Sequence, residues 1–283
     1  MDIKCRLGSA DVNEKLLQQV NNVARQAGVA IMAVYNSGSD FIKSSKADGS
    51  PLTQADLAAH RVIVDSLKAL TPDCHILSEE AADISYSERE QWKRFWLVDP
   101  LDGTKEFINR NGEFTVNIAL IENGKPVLGV VYAPVLDVLY YAAHGAGAYV
   151  HRRNSAAQPI SVKPHTAGAT IKVVASRSHS DSRTEALLKH LGDHQCISMG
   201  SSMKLCLVAE GAAHFYPRLG PTMEWDTAAA HAVVTEAGGR VCDLTGAELH
   251  YNKKDLHNPD FFVVPRDDEA LCDILNIPHS LIH

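Results

Sequence analysis

The stretch Asp99-Pro100-Leu101-Asp102-Gly103-Thr104 sets two carboxylates and a hydroxyl within six residues. The apolar run 95–98 before it reads as a short buried strand that ends at Asp99. Pro100 fixes φ for position i+1 of a tight turn, and Asp99 suits position i. Such a turn brings the carboxylates of Asp99 and Asp102 to one side of the backbone, and Gly103 lets the chain turn again. Two acids, a hydroxyl and exposed carbonyls make an oxygen donor set of the kind a hard cation such as Mg²⁺ takes. Asp-Pro and Asp-Gly are also ordinary turn dipeptides, so the weight of this reading depends on acids elsewhere.

Four further places supply them or complement them. Thr53-Gln54-Ala55-Asp56 fits the capping pattern [ST]-x-x-[DE], in which Asp56 closes the start of a helix. Glu79-Glu80 directly follow the short strand 75–78, where sites of layered α/β folds collect. Trp225-Asp226 opens a helix over 227–237, with Asp226 suited to an N-cap. Gly200-Ser201-Ser202 lies between a strand and a helix and offers N–H groups and hydroxyls to an anion, although Ser is also a favoured cap. Asp56, Glu79, Asp99, Asp102 and Asp226 gathered together would repel one another unless cations filled the cluster. Two or three Mg²⁺ would serve, and phosphate-ester hydrolysis is the chemistry such a site performs best.

The elements that must position these acids are legible in outline. Leu16, Val20, Val23, Ala27, Ile31 and Val34 give residues 12–35 one apolar helical stripe; Ala59, Ile63, Leu67 and Leu70 do the same for a helix starting at Thr53. Between them, 37–51 is polar and turn-rich and reads as a loop. Residues 115–121 alternate, with Val116, Ile118 and Leu120 on one face, and lead through a turn at 122–125 into an antiparallel meander over 126–132 and 138–142. His144 to Tyr149 reads as a turn between strands, and 151–168 as a link. Beyond it strands (171–175, 195–199, 214–216) alternate with helices (181–191, 203–210), a loop covers 217–222, and strands 241–242 and 261–264 with a helix over 270–275 close the chain.

Composition sets the class. The 283 residues are 45% hydrophobic and 22% charged, as in a globular protein of one large or two ordinary domains. A net charge of −7 argues against a binder of polymeric nucleic acid. Residues 1–6 lack the apolar core of a signal peptide, and no apolar run reaches membrane-spanning length. Six cysteines without a C-x-x-C pair fit reduced thiols in a cytoplasmic protein.

Asp99 to Thr104, Glu79-Glu80 and Trp225-Asp226-Thr227-Ala228-Ala229 together resemble the signature set of the inositol monophosphatase superfamily, the Mg²⁺-dependent, Li⁺-inhibited phosphatases. Asp99 to Phe107, Gly200 to Lys204 and Tyr216 to Asp226 resemble most closely its CysQ-type 3′(2′),5′-bisphosphate nucleotidases. The resemblance implies an α/β fold, a layered αβαβα sandwich. An α+β half over 1–160 would carry most metal ligands, and an α/β half over 161–283 would carry Asp226 and substrate contacts. It implies that Glu79, Asp99 and the Leu101 carbonyl hold one metal, that Asp99, Asp102 and Asp226 hold a second, and that Glu79 helps hold a weaker third. Thr104, oriented by Asp56, would activate the attacking water for direct in-line displacement, whereas the capping reading leaves Asp56 only stabilising its helix. Glu80 would support the ligands from behind.

Where inositol-specific relatives carry a glutamate this chain has Arg218, whose planar fork favours a second phosphate, and Lys204 adds another cation. The substrate this suggests is adenosine 3′,5′-bisphosphate (PAP), with its sulfated relative PAPS as a further candidate. Phosphate and nucleotide contacts are expected from Gly103, Thr104, Gly200, Ser201, Ser202, Lys204, Tyr216 and Arg218, with Ser176 to His179 also within reach of the nucleotide. The rival readings are an inositol monophosphatase or fructose 1,6-bisphosphatase-like sugar phosphatase, and a non-catalytic nucleotide sensor. Retention of Asp56 and Thr104 speaks against the sensor. The family suggests a place in sulfate assimilation, in the cytoplasm or peripherally on the inner face of a bacterial plasma membrane. The chain is expected to act as a monomer or a homodimer.

Overall fold

The structure, a computed structural model, describes residues 10–37, 42–45, 51–166, 168–176, 182–266 and 268. Its elements in chain order are α1 (Ala10–Tyr35), β1 (Ile42–Ser45), β2 (Pro51–Thr53), α2 (Gln54–Leu70), β3 (His75–Ser78), a 3₁₀ turn (Glu79–Ala81), α3 (Tyr86–Arg89), β4 (Arg94–Asp102) and α4 (Thr104–Ile108). Then follow β5 (Thr115–Glu122), β6 (Lys125–Ala133), β7 (Val138–Ala143), β8 (Gly147–Arg152) and β9 (Gln158–Ile160). The remainder comprises β10 (Ile171–Ser176), α5 (Ser182–Leu191), β11 (His194–Met199), α6 (Met203–Ala209), β12 (Tyr216–Arg218), α7 (Glu224–Glu236), β13 (Gly239–Asp243) and β14 (Phe261–Pro265).

The apolar stripes decide the layers. Val20, Ala27 and Ile31 of α1 and Ala59, Ile63 and Leu67 of α2 are fully buried together against Trp96, Val98, Val116 and Ile118 of a large sheet. That sheet runs β3-β4-β5-β6-β7-β8-β9, with β3 parallel to β4 and every other pair antiparallel. Its opposite face is apolar too: Leu97, Ala119, Ile121 and Val131 pack with α6 and α7. A sheet covered by helices on both sides needs apolar residues at both phases of its alternation, and β5 has them.

The second sheet is assembled from β12-β14-β13 and the parallel pair β10-β11. They are joined where Val173 bridges Phe215 and the Val174 N–H donates to the Phe215 carbonyl at 2.8 Å. Val174, Val241, Phe261 and Val263 face α6 and α7, whereas Val173, Phe215, Phe262 and Val264 face outward onto Leu187 of α5. Helix pair, sheet, helix pair, sheet and helix thus stack as an αβαβα sandwich. Because α7 is in the middle layer, it is buried nearly all round, from Trp225 to Val234. It approaches β6 so closely that a Cβ on Gly129 would lie 2.1 Å from the Ala229 carbonyl oxygen, so only glycine fits there.

Several expectations are corrected. The stretch 37–51 contains β1, which pairs antiparallel with β2; backbone pairing, invisible in a polar composition, makes the hairpin. The strand expected over 95–98 does not end at Asp99 but, as β4, runs through to Asp102. The link expected over 151–168 begins only after β9, because Gln158 to Ile160 add a last strand to the large sheet. Pro217 and Arg218, expected in a loop, belong to β12. Pro217 is accommodated in a strand of three residues that has a pairing partner at β14 and only a single bridge at Phe215 on the other side. Asp226 is the third helical residue of α7, not its N-cap, since the helix starts at Glu224. Short α3, with no apolar periodicity to announce it, was not foreseen. The helix over 270–275 and residues 177–179 lie outside the described residues. The four cysteines among the described residues, 74, 196, 206 and 242, are unbridged.

Candidate active site

The register of β4 against β5 builds the site. Asp99 is opposite Asn117 and Asp102 opposite Thr115, so Pro100 and Leu101 together face one residue of the partner strand. Such a bulge tolerates the missing N–H of a proline and re-aims the side chains beside it. The Leu101 N–H donates to Asp99 Oδ1 at 3.0 Å, which folds the buried Asp99 carboxylate back along the bulge. Asp226 reaches the same point from the first turn of α7, where its Oδ2 accepts the Met223 N–H at 2.8 Å. Oxygens of Asp99, Asp102 and Asp226 all lie within 4.8 Å of one another.

Glu79, at the start of the 3₁₀ turn, hydrogen-bonds Asp99 and adds its field to Asp226. Burial, followed by Glu79, Asp102 and Asp226, pushes the Asp99 carboxyl well above the usual carboxylate range. Burial also raises Asp226, helped by Asp102 and Glu79 and opposed by the Met223 N–H and Arg218. With protein groups alone, protons must relieve this repulsion; a divalent cation would do so instead. Convergent carboxylate oxygens are hard donors, so the residues present fit an ion such as Mg²⁺.

Ser202, expected as a phosphate contact, is drawn into the framework. Its N–H and hydroxyl meet Asp102 Oδ2 at 2.6 and 2.7 Å, and its Oγ is also 2.6 Å from the Asp226 carbonyl oxygen. Asn117 Nδ2 donates to Ser202 Oγ at 2.8 Å, and the Thr115 hydroxyl donates to Asn117 Oδ1 at 3.0 Å. This buried chain fixes Asp102 relative to α7. Ser201, by contrast, has a left-handed backbone (φ 47°) and a buried hydroxyl with no hydrogen-bond partner among the described residues. Gly200 lets this turn pass the β4–β5 connection: a Cβ there would be 2.7 Å from the Glu113 carbonyl oxygen.

A cavity of about 130 Å³ opens beside the acids, lined by Asp102, Gly103, Ser201, Lys204, Arg218 and Asp226 among others. Lys204 is buried, with its ammonium 5.8 Å from the centre of the Tyr216 ring. Burial, with Arg218 acting in the same sense, lowers its pKa to about 8 against the pull of Asp102, Glu106 and Asp226. Tyr216 is buried between Lys204 and Phe261, and its hydroxyl is pushed up, chiefly by burial. Arg218 donates from Nη2 to the Pro221 carbonyl at 2.9 Å, while its Nε is buried without a hydrogen-bond partner among the described residues.

Asp56 is fully buried and does close the capping box: Oδ2 accepts the Thr53 N–H at 2.8 Å and hydroxyl at 2.5 Å. Helix α4, whose first residue is Thr104, packs against β2, which ends at Thr53. Gly103 makes the turn into α4 with φ at 92°, a conformation costly for other residues. Sequence reasoning missed Glu106 on the cavity wall, the Thr115–Asn117 relay and Glu224. Two polar residues on one phase of an otherwise apolar strand were the available signal for the relay; Glu224 gave none.

With this geometry in view, the fold and acid cluster define a class. The sequence profile described as the inositol monophosphatase family matches residues 12–276, and the chain belongs to that family. It is 52% identical over 249 residues, 88% of this chain and 99% of the relative, to the 3′(2′),5′-bisphosphate nucleotidase CysQ of Salmonella typhimurium. The CysQ of Escherichia coli K12 matches with the same identity and coverage. Among solved structures, CysQ of Bacteroides thetaiotaomicron superposes with a TM-score of 0.77 at 42% identity, covering 90% of this chain and 98% of that one.

Proposed function

We propose that this chain is a Mg²⁺-dependent 3′(2′),5′-bisphosphate nucleotidase that hydrolyses the 3′-phosphate of adenosine 3′,5′-bisphosphate to give AMP and phosphate. The observation that carries this is the pairing of a tri-aspartate cluster with two cations, the buried Lys204 and the partly buried Arg218, across one small cavity. The likeness to the CysQ proteins supports it. Glu79, Asp99, the Leu101 carbonyl, Asp102 and Asp226 would hold two or three Mg²⁺, which would supply Lewis-acid polarisation of the phosphoryl oxygens and acidify the attacking water. In this reading the chain's residues do the rest. Thr104 Oγ1, at the start of α4, orients the water in line with the scissile bond and hands its proton towards Asp56. Gly103 and Ser201 face the transferred phosphoryl group, and Lys204 and Arg218 hold the 5′-phosphate, which orients the ribose. Tyr216 packs under Lys204 and limits the depth of the pocket.

The functional halves in this proposal are 1–160, which brings the acids of β4 and the turn at Glu79, and 161–283, which brings Asp226 and the phosphate-holding cations. No described helix is long and apolar enough to cross a membrane, and the substrate is a small nucleotide. The test is phosphate release by the purified chain from adenosine 3′,5′-bisphosphate, inositol 1-phosphate and fructose 1,6-bisphosphate. A preference for the nucleotide, falling at least about 100-fold in Asp99→Asn, is expected. Preference for either sugar phosphate would refute the assignment of Lys204 and Arg218.

A further inference from the structure

Glu79 and Asp226 come from opposite sides of the site, and a second connection joins them away from the acids. Ten residues beyond Glu79, Arg89 ends α3 and is 3% exposed. Its Nη1 donates to Asn252 Oδ1 at 3.0 Å and to the Lys253 carbonyl, and its Nη2 donates to the Lys254 carbonyl at 2.9 Å. Asn252 Nδ2 donates back to the Arg89 carbonyl at 2.6 Å. Glu224, two residues before Asp226 and 0% exposed, grips the same loop from the other side. Its Oε2 accepts the Asn252 N–H at 2.7 Å, and its Oε1 accepts the Lys253 N–H at 2.9 Å and Nζ at 2.6 Å. Asn258 completes the grip: its N–H donates to the Thr222 carbonyl at 2.8 Å, and its Nδ2 to the Met223 carbonyl at 2.7 Å and Thr227 Oγ1 at 3.1 Å. Residues 222–227 are therefore held by the loop 252–258, and that loop is held by Arg89.

Burying a carboxylate and a guanidinium is costly unless partners offset it; both Glu224 oxygens and both terminal nitrogens of Arg89 are paired on one short segment, while Arg89 Nε has no hydrogen-bond partner among the described residues. The stretch 222–227 that it holds carries Asp226. The Asp226 carboxylate lies within 4.8 Å of those of Asp99 and Asp102, so the spacing of the three depends on how firmly the first turn of α7 is held against β4. We propose that Arg89 and Glu224 form a brace that sets Asp226 against Asp99 and Asp102, which makes them positioning residues for the cation held there. This rests on the metal-dependent reading given above. Neither side chain lines the cavity, so the brace acts on ligand geometry and not on substrate contact.

The test is a Mn²⁺ titration of the full chain, followed by the EPR signal of free Mn²⁺, together with thermal midpoints measured without metal. The variants are Arg89→Lys, which keeps the charge but loses the two-pronged fork, and Glu224→Gln, which sets an amide against a backbone N–H. Val233→Ala, in the core of α7, serves as a control for lost stability. Both brace variants are expected to weaken Mn²⁺ binding about 10- to 100-fold, the range typical for groups that orient ligands. Val233→Ala should lower the midpoint and bind Mn²⁺ like the wild type. Wild-type affinity in both brace variants, or an equal loss in Val233→Ala, would overturn the brace alone. Failure of the wild type itself to bind Mn²⁺ at millimolar concentration would overturn the metal reading and the brace with it.

Discussion

Lys204 shows how much of the site is decided by single side chains. A buried ammonium near three carboxylates and one guanidinium sits at a pKa of about 8, so it is charged below that pH and loses charge above it. A charged hydrogen bond to phosphate contributes about 1.5–3 kcal/mol, so Lys204→Met should raise KM for adenosine 3′,5′-bisphosphate about 10- to 100-fold. KM for a 3′-monophosphate should stay within about threefold of the wild type, because the 5′-phosphate contact is already missing. The wild-type KM for the bisphosphate should also climb as pH rises past 8, and that climb should vanish in the variant. Steady-state kinetics on both substrates from pH 6.5 to 9.5 checks all three. At this scale the sequence was informative about which residues gather: Asp99 and Asp102 converge with Asp226, and Arg218 lines the cavity beside them. It was silent where type is ambiguous. Ser202 looks like any anion-binding serine until Asp102 and the Asp226 carbonyl are found against it, and Asp56 fits a cap and a catalytic site equally well.

Among the elements, α7 depends most on its surroundings. His231, fully enclosed in its middle, pairs through Nδ1 with the Tyr251 hydroxyl at 2.8 Å. Burial, followed by the charges of His250 and Lys125, lowers its pKa to about 3. The folded chain keeps this imidazole neutral while the unfolded chain protonates it near pH 6.5, so its contribution to stability is intact above pH 6.5 and declines as pH falls towards 3. At pH 5 the loss is about 2 kcal/mol. His231→Gln should flatten the dependence of urea-unfolding free energy on pH between 7 and 5; an unchanged slope would refute the assignment. The stripes of α1 and α2 were readable because each is amphipathic. Helix α7 offered only its ends, an acidic start and the glycines after Ala237, since a helix packed on both sides carries little periodic contrast. The bulge in β4 was out of reach for another reason: it exists only relative to β5, and no local signal encodes the register of a strand that follows it by a dozen residues.

For the molecule as a whole, the acids join what packing alone leaves in tension. Asp99 and Asp226, both with raised pKa, hold protons in the folded state that the unfolded chain has released. The metal-free protein should therefore lose stability as pH rises above the ordinary carboxylate range near 4. A divalent cation that binds only the folded chain adds stability by mass action, about 2.7 kcal/mol at 100 times its Kd. Thermal midpoints with Mg²⁺ and with EDTA should differ more at pH 8 than at pH 5.5, where protons compete for the same oxygens. Equal differences at the two pH values would sink this account. The overall sandwich was legible because its two halves follow different rhythms, a meander and then alternating strand and helix. The joining of β10 to β12 through one bridge at Phe215 was not legible, because a single bridge leaves no pattern.

The central layer has a further consequence, for how the chain is made. Leu97, Ala119, Ile121 and Val131 on the inner face of the large sheet find their cover in α6 and α7, which begin more than forty residues after β9 ends. At roughly 5–20 residues per second of synthesis, a ribosome needs about 4–15 s to pass from the end of β9 to the end of α7. Throughout that interval the nascent chain displays a finished strand meander with one greasy side uncovered. Holding chaperones, which recognise such surfaces, have their moment then, before translation delivers the helix that both seals the sheet and brings Asp226 to its place.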